Sequence, residues 1–359
     1  MKKLVLEYGS EFDWASNQRF ITDRQINYSD STESSSYYLR SGRDAFKAVA
    51  MLNRETHNKV LLPALCCNSM VMPFRIYDYS IEYYSINNNF TANYHELFNK
   101  LDEKTIFVYM NYFGNISLKT GQLTRLKKQF SNTLFIEDNT HDILKSKSEG
   151  FMPDFSICSI RKWFALPDGG ILTANHQTLK NMINFEVDQF FSSIREEALK
   201  LKSEYLVSGD RNIKDVFLKK FRKSNAYLDA DTSIRTMSKS SADILKKLKI
   251  EDMFNIRIKN CVALNSLIMK SIIGRLETAP SLYFPVIIHK RDYVQKKLAD
   301  LGIYCPVIWP IPNEARKLCS FSDYISDHIL ALPCDHRYTQ DDMHYISAKF
   351  LAIINGEIK

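Results

Sequence analysis

Residues 155–173 read FSICSIRKWFALPDGGILT, and this stretch decides the fold class. Two short apolar runs, 155–158 and 171–173, have the length and composition of buried strands. Lys162 lies between them, beside Trp163 and ahead of the turn Gly169-Gly170. A lysine held in apolar surroundings between two strands is a candidate Schiff-base nucleophile, although most lysines are simply exposed in surface loops.

The same pattern of short strands and helices continues outward toward the N-terminus. We predict strands at 60–62, 81–86, 106–110 and 134–136, and helices at 43–54, 94–101 and 122–130. We interpret residues 1–36 as a polar arm or loop. Such alternation predicts an α/β fold with a mostly parallel sheet and helices on both faces. Ligands of these sheets bind at the carboxyl ends of the strands.

Toward the C-terminus the pattern changes to a long, charged helical region at 177–267. It is followed by a strand at 282–288 and by helices at 292–301 and 341–354. The chain of 359 residues is about twice the ~150 residues of a usual domain. We therefore predict a large α/β domain at 1–240 and a smaller α+β domain at 241–359.

Composition excludes several classes of protein. With 45% apolar and 25% charged residues the chain is globular, and its net charge of +7 comes without a long Lys/Arg block, so we predict no nucleic-acid partner. No apolar run is long enough for a membrane span, and the first residues lack a secretory apolar core, so we expect a cytoplasmic protein with no membrane partner. The seven cysteines form no CxxC pair, and we predict no metal site.

Two further polar segments flank predicted elements. Asp138 and His141, in EDNTH, follow the strand at 134–136, where a carboxylate can face a ligand. Gly42 and Arg43 begin the helix at 43–54, and a helix N-terminus favours an anion. Taken alone, each segment is better explained by ordinary helix capping.

Together, these two segments and Lys162 indicate a cofactor. A phosphate cradle, a carboxylate and an amine, in that order on an α/β scaffold, are what pyridoxal phosphate (PLP) requires. The carboxylate keeps the pyridine nitrogen protonated, and the amine binds the aldehyde.

The sequence resembles the DegT/DnrJ/StrS family of PLP-dependent sugar aminotransferases, and the resemblance is that of a divergent branch. The resemblance covers most of the chain and implies fold type I, the aspartate-aminotransferase-like architecture, with a mostly parallel seven-stranded sheet in the large domain. The matching segments are Ser41–Ala45, Leu62–Cys67, Glu137–His141, Ser159–Lys162, Asp168–Gly170, Ile234–Ser238 and Leu332-Pro333. The chain departs from the family at Cys67, where an aromatic often stacks on the cofactor, and at Arg161 beside the lysine.

The resemblance implies a role for each matching residue. Lys162 would form the Schiff base and move a proton, Asp138 would pair with the pyridinium nitrogen, and His141 would contact the ring or its phenolic oxygen. Gly42, Arg43 and Ser159 would hold the phosphate. Cys67 and Phe113 are the candidates beside the ring. Residues expected on the substrate side are Arg161, Arg235, Tyr304, Trp309 and Arg337.

The implied function is amine transfer from glutamate to a keto group of a nucleotide-activated sugar, for polysaccharide biosynthesis, in a homodimer with shared active sites. Two alternatives stay open: a PLP-dependent sugar dehydratase, although such relatives often replace the lysine with histidine, and a cofactor-binding protein without turnover. The basic stretch 214–223 fits either a pyrophosphate-binding surface or a solvated helix face.

Overall fold

A seven-stranded sheet forms the centre of the protein. The computed structural model describes residues 5–23, 35–143, 150–175, 185–270 and 272–356. The sheet has the strand order β2-β8-β7-β6-β5-β3-β4. Its strands are β2 (Ser35–Leu39), β3 (Lys59–Pro63), β4 (Ser80–Tyr84), β5 (Thr105–Met110), β6 (Leu134–Asp138), β7 (Phe155–Cys158) and β8 (Gly170–Ala174).

The composition of the central strands explains their position. All six residues of β5 and all five of β6 are buried, as expected of strands covered by helices on both faces. Six helices accompany this part of the chain: α1 (Gly42–Asn53), α2 (Asn68–Ile76), α3 (Tyr94–Lys100), α4 (Thr120–Gln129), α5 (Gln189–Ser208) and α6 (Arg211–Ala230).

Strand direction brings the polar segments to one edge of the sheet. Only β8 runs against its neighbours: it pairs antiparallel with both β2 and β7, whereas the other pairs are parallel. The ends of β2, β6 and β7 therefore meet the beginning of β8 at the same edge. The turn at 169–170 lies beside residues 40–42 and the end of β7 there.

The C-terminal part builds a second apolar cluster, around Leu264, Phe284, Leu298 and Phe350. Its strands are the antiparallel pair β9 (Phe284–Ile287) and β11 (Ile329–Leu332), and β10 (Ile303–Tyr304), which pairs parallel with β1 (Tyr8–Gly9). Its helices are α7 (Lys239–Leu245), α8 (Ile250–Ile268), α9 (Arg291–Asp300), α10 (Asn313–Leu318), α11 (Ser320–His328) and α12 (Gln340–Ile354). The domain division at 240 stays a prediction.

Most predicted elements are confirmed, with ends displaced by one to a few residues. The interpretation of 1–36 as arm or loop was wrong in part, because Trp14–Phe20 is a 3-10 helix and β2 begins at Ser35; residues 1–4 and 24–34 lie outside the described residues. The region 177–267 divides into α5–α8, with 176–184 outside the description, because Gly209 takes a left-handed conformation (φ 73°) that ends α5. In the described part of the chain, we find no helix long and apolar enough to cross a membrane.

Candidate active site

Three segments meet at the carboxyl edge of the sheet and enclose a small cavity of about 50 Å³. Gly42 lies at the beginning of α1, Asp138 lies at the end of β6, and Lys162 lies in the short 3-10 helix that follows β7. Further lining residues are Ser41, Arg43, Cys67, Thr140, Ser159 and Arg161. Arg43, Arg161 and Lys162 also line a larger cavity of about 840 Å³, so the two spaces share a wall.

The beginning of α1 is shaped to receive an anion. The Ser41 side chain caps the helix by accepting from the Asp44 amide at 3.2 Å, while the first amides of a helix have no partner within it. A Cβ on Gly42 would lie 3.2 Å from Cβ of Ser159, and a Cβ on Gly170 would lie 2.2 Å from the carbonyl carbon of Ser41. The two glycines thus allow α1 to approach β7 and β8 closely.

Thr140 joins the ends of β6 and β7. Its amide donates to Oδ1 of Asp138 at 2.8 Å, and its hydroxyl accepts from the Ser159 amide at 3.1 Å. Its carbonyl accepts from the Trp163 indole at 2.9 Å. Thr140 therefore fixes Asp138 relative to the segment that carries Lys162. Thr140 lies within the segment Glu137–His141, but the sequence alone indicates no role for it.

Burial and the charge of Lys162 together affect the titration of Asp138 and His141. Burial raises the pKa of Asp138, against the opposing effects of the Thr140 hydrogen bonds and the charge of Lys162. Burial, followed by the charge of Lys162, lowers the pKa of His141 to about 3, so its imidazole is neutral. The charge of Lys162 therefore acts on both side chains, and Lys162 and Asp138 line the same small cavity.

His141 is part of an aromatic stack beside the small cavity. Its ring centroid lies 4.9 Å from that of Phe113 and 5.1 Å from that of Trp309. Its Nδ1 is buried and has no hydrogen-bond partner among the described residues. Among those residues, the lining of the small cavity includes Cys67 but neither His141 nor Phe113. Trp309 therefore stacks on His141, and Phe113 contacts it in a tilted arrangement.

A buried ion network lies beneath the beginning of α1. The fully buried Arg40 donates to both oxygens of Asp44 at 2.8 and 2.9 Å, and its Nη1 donates to Asp188 at 2.6 Å and Asp231 at 2.7 Å. Lys47, also buried, donates to the carbonyl of Asp231 at 2.6 Å. The network connects α1 to the beginning of α5 and the end of α6.

The residues expected on the substrate side divide into two groups. Arg161, Tyr304 and Arg337 line the large cavity. Arg235 and Trp309 lie outside the lining of both cavities among the described residues: Arg235 pairs with Glu186 at 3.1 Å, and Trp309 stacks on His141.

The large cavity contains residues that sequence reasoning did not select. Glu11, Arg257 and Tyr283 line it, and Glu11 comes from the segment that we interpreted as an arm. No local motif marks these residues, because their role depends on contacts between distant parts of the chain.

In the basic stretch 214–223, Lys214 donates to Glu7 at 2.5 Å and Lys220 to Glu197 at 2.8 Å.

Comparison with known proteins identifies the fold. No family model matches the sequence, and no curated protein matches it. Solved structures do match. Spr1654 from Streptococcus pneumoniae, provisionally described as a sugar aminotransferase and solved in its PLP form, has a TM-score of 0.62 at 13% identity, covering 90% of this chain and 88% of its own. A DegT/DnrJ/EryC1/StrS aminotransferase from Brucella abortus has a TM-score of 0.61 at 14% identity, covering 89% and 85%.

PseC from Helicobacter pylori, an aminotransferase of pseudoaminic acid biosynthesis, has a TM-score of 0.62 at 14% identity. That match covers 99% of this chain and 100% of PseC. A sugar dehydratase is also among the matching structures. The predicted fold class is therefore confirmed, and the resemblance to DegT/DnrJ/StrS proteins is confirmed as a likeness of fold. At these identities, activity has to be argued from the site.

Proposed function

We propose that the protein is a PLP-dependent aminotransferase that transfers an amino group from glutamate to a keto group of a nucleotide-activated sugar. One observation carries the proposal: the amine of Lys162 and the carboxylate of Asp138 line a single small cavity that begins at a helix N-terminus. These three groups are those that PLP needs, and the matching structures include a PLP form.

The residues present fit the cofactor. Gly42 and Ser159, with the first amides of α1, would hold its phosphate, since no Cβ fills the space between α1 and Ser159. Asp138 would pair with the pyridine nitrogen, and Cys67 would lie beside the ring. Arg43 would add positive charge, although its guanidinium already donates to the Leu228 carbonyl at 2.7 Å and pairs with Asp229.

When bound, PLP supplies an electron sink that stabilises negative charge at a substrate carbon. The protein supplies proton transfer and orientation. Lys162 holds the proton that is removed from one carbon and returned to another, as general base and then acid. Asp138, oriented by Thr140, provides the negative charge opposite the amine. His141 stays neutral and can offer a hydrogen bond without adding charge.

The large cavity suits an anionic sugar derivative. Six cationic side chains line it (Arg43, Arg161, Lys162, Arg257, Lys296 and Arg337) against three acidic ones (Glu11, Asp229 and Asp335), an excess of three positive charges. Tyr283 and Tyr304 add aromatic surface with hydroxyl groups. A nucleotide-linked sugar carries both phosphate and stacking groups, and it matches such a lining in charge and chemistry.

Absorbance and product analysis test the proposal. Protein mixed with PLP should develop the long-wavelength band of lysine-bound cofactor, and Lys162→Ala should abolish it. Glutamate should bleach the band and release 2-oxoglutarate, and a nucleotide-linked keto sugar should then restore it and gain an amino group detectable by mass spectrometry. An unchanged spectrum with added PLP would refute the proposal.

The same experiment separates the alternatives. A bound cofactor that no amino donor converts would indicate a protein without turnover. A dehydrated sugar, formed without amine incorporation, would indicate a dehydratase. We further propose a cytoplasmic homodimer with shared active sites, and sedimentation as a monomer at micromolar concentration would contradict the dimer.

A further inference from the structure

Arg161 differs from the other arginines around the large cavity. The others that line it are held by hydrogen bonds: Arg43 to the Leu228 carbonyl, Arg257 to the Ser281, Leu282 and Trp163 carbonyls, and Arg337 to Asp335. Arg161 has a buried Nε without a partner, and no hydrogen bond joins its side chain to a described residue. A partly buried guanidinium whose Nε has no partner is a binding group for an anion.

The charges around Arg161 also favour an anion. Burial, followed by the charge of Arg195 and then, after an opposing effect of Glu11, the charge of Arg43, lowers the pKa of Arg161 to about 10. Glu11 is its nearby counter-charge, and Glu11 already accepts from Nη2 of Arg195 at 3.0 Å. The guanidinium groups of Arg161 and Arg195 therefore share the Glu11 carboxylate, whereas Arg43 has its own partner in Asp229.

Arg161 and Lys162 are neighbours in the chain, but their side chains interact with different groups. The charge of Lys162 acts on Asp138 and His141, beside the small cavity. The groups that act on Arg161 include Glu11, Arg43 and Tyr283, which line the large cavity. Both residues line both cavities, so the guanidinium borders the large cavity one residue away in the chain from the amine.

We propose that Arg161 binds the α-carboxylate of the amino donor. This inference rests on the proposed function. In an amino acid, the carbon that carries the amine also carries the carboxylate, so the cation that binds this carboxylate has to lie next to the reacting amine. A nucleotide pyrophosphate is separated from a keto carbon by several bonds and needs a more distant cation. The planar guanidinium can donate two parallel hydrogen bonds to a carboxylate, which a lysine cannot do.

Binding of glutarate, a dicarboxylate that has no amine, tests the proposal without catalysis. Its dissociation constant is measured by calorimetry on PLP-loaded and on cofactor-free protein. Arg161→Gln should raise the dissociation constant of glutarate about tenfold to a hundredfold. The constant of Arg161→Lys should lie between those of Arg161→Gln and the natural protein. Lys296→Gln removes an equal charge from an exposed residue of the same cavity and should change the constant less than about twofold. Glu11→Gln removes the competing carboxylate and should tighten binding.

Equal glutarate binding by Arg161→Gln and the natural protein would overturn the proposal. So would a variant that loses affinity for uridine diphosphate and keeps its affinity for glutarate, because the site would then take phosphate. The proposed function is tested separately. If donors convert the cofactor while Arg161→Gln binds glutarate normally, only the carboxylate site fails. If Arg161→Gln loses glutarate while no donor converts the cofactor, the carboxylate site stands and the activity fails.

Discussion

At the scale of single residues, Asp138 is the clearest test of the proposed chemistry. Asp138→Asn keeps the size of the side chain and removes the negative charge that would keep the pyridine nitrogen protonated. We expect amine transfer to slow by about 10²–10³-fold, as for loss of one oriented electrostatic contact. The long-wavelength absorbance should remain, because Lys162 still binds the aldehyde. Stopped-flow measurement of the glutamate half-reaction gives the rate, and an Asn variant of full rate would contradict the assignment.

His141 predicts a pH dependence of stability. In the folded protein its pKa is lowered from 6.5 to about 3, so it stays neutral where the unfolded chain binds a proton. Folding stability is therefore lost as pH falls from about 6.5 to about 3, at up to ~1.4 kcal/mol per pH unit. The glutamine of His141→Gln cannot bind this proton. When the cofactor-free variant and the natural protein are unfolded by urea at pH 7 and pH 5, the free energy of unfolding should therefore fall less between the two pH values in the variant. The carboxylates and His336 titrate in both proteins; parallel slopes would contradict the burial of a neutral imidazole.

The sequence could identify the site residues better than their packing. Lys162, Asp138 and Gly42 were predictable, because polar residues that directly follow apolar strands stand out locally, and all three line one cavity. The aromatic stack on His141 could not be predicted, since Trp309 comes from a distant part of the chain. Glu11 could not be predicted for the same reason, since it is far in sequence from most of the other residues that line the large cavity.

At the scale of elements, the contact between α1 and β8 depends on a missing side chain. In Gly170→Ala, Cβ would lie 2.2 Å from backbone atoms of Ser41, so the beginning of α1 has to move away. We expect PLP affinity to fall at least tenfold, and a loss of stability of about 1–3 kcal/mol. Fluorescence titration with PLP and thermal unfolding measure the two effects.

Gly121→Ala is the matched control. A Cβ there meets no atom within 4 Å, and the residue lies in helix α4. This change should leave PLP affinity unaltered and raise stability by about 0.4–1 kcal/mol. Equal PLP affinity of Gly170→Ala and Gly121→Ala would show that the cradle does not require the close approach.

Element prediction failed where local signals opposed the tertiary structure. Helix α2 contains Pro73, which normally argues against a helix interior, yet its apolar residues Met70, Val71 and Phe74 pack into the main core. Strand β2 begins in a serine-rich stretch that has weak strand preference, and it is held by pairing with β8. Propensity is a weak guide where packing decides.

At the scale of the whole molecule, Arg40 joins three helices. Arg40→Met would leave Asp44, Asp188 and Asp231 without their shared cation, the first two of them buried. Removing one partner of a buried ion pair costs about 3–5 kcal/mol. We expect a clear fall in the thermal midpoint and in the urea midpoint.

Arg316→Met provides the comparison. Arg316 pairs with Asp323 and Asp327, whose side chains are about half exposed, at 47% and 56%. Surface pairs of this kind contribute about 0.2–1 kcal/mol. Similar midpoints for the two variants would mean that the Arg40 network does not hold the helices together.

The α/β class and the mostly parallel sheet followed from the alternation of apolar runs with amphipathic stretches. The position of the single antiparallel strand did not, since β8 is a short apolar run like its neighbours and nothing local sets its direction. The proposed division near residue 240 was based on a change of pattern, but contacts cross it. Tyr8 belongs to the second apolar cluster, and Ile325 of α11 belongs to the first.

The pairing of β1 with β10 has a consequence for the order of events during synthesis. Tyr8 leaves the ribosome 295 residues (303 − 8) before its partner Ile303. Closing so large a loop is entropically costly, so this contact forms after the local ones. Since Gly9 to Phe12 form part of the wall of the large cavity, that wall is completed only after residue 303 has emerged. A nascent chain arrested before residue 303 would carry the lysine and the carboxylate but lack an enclosed place for their substrate.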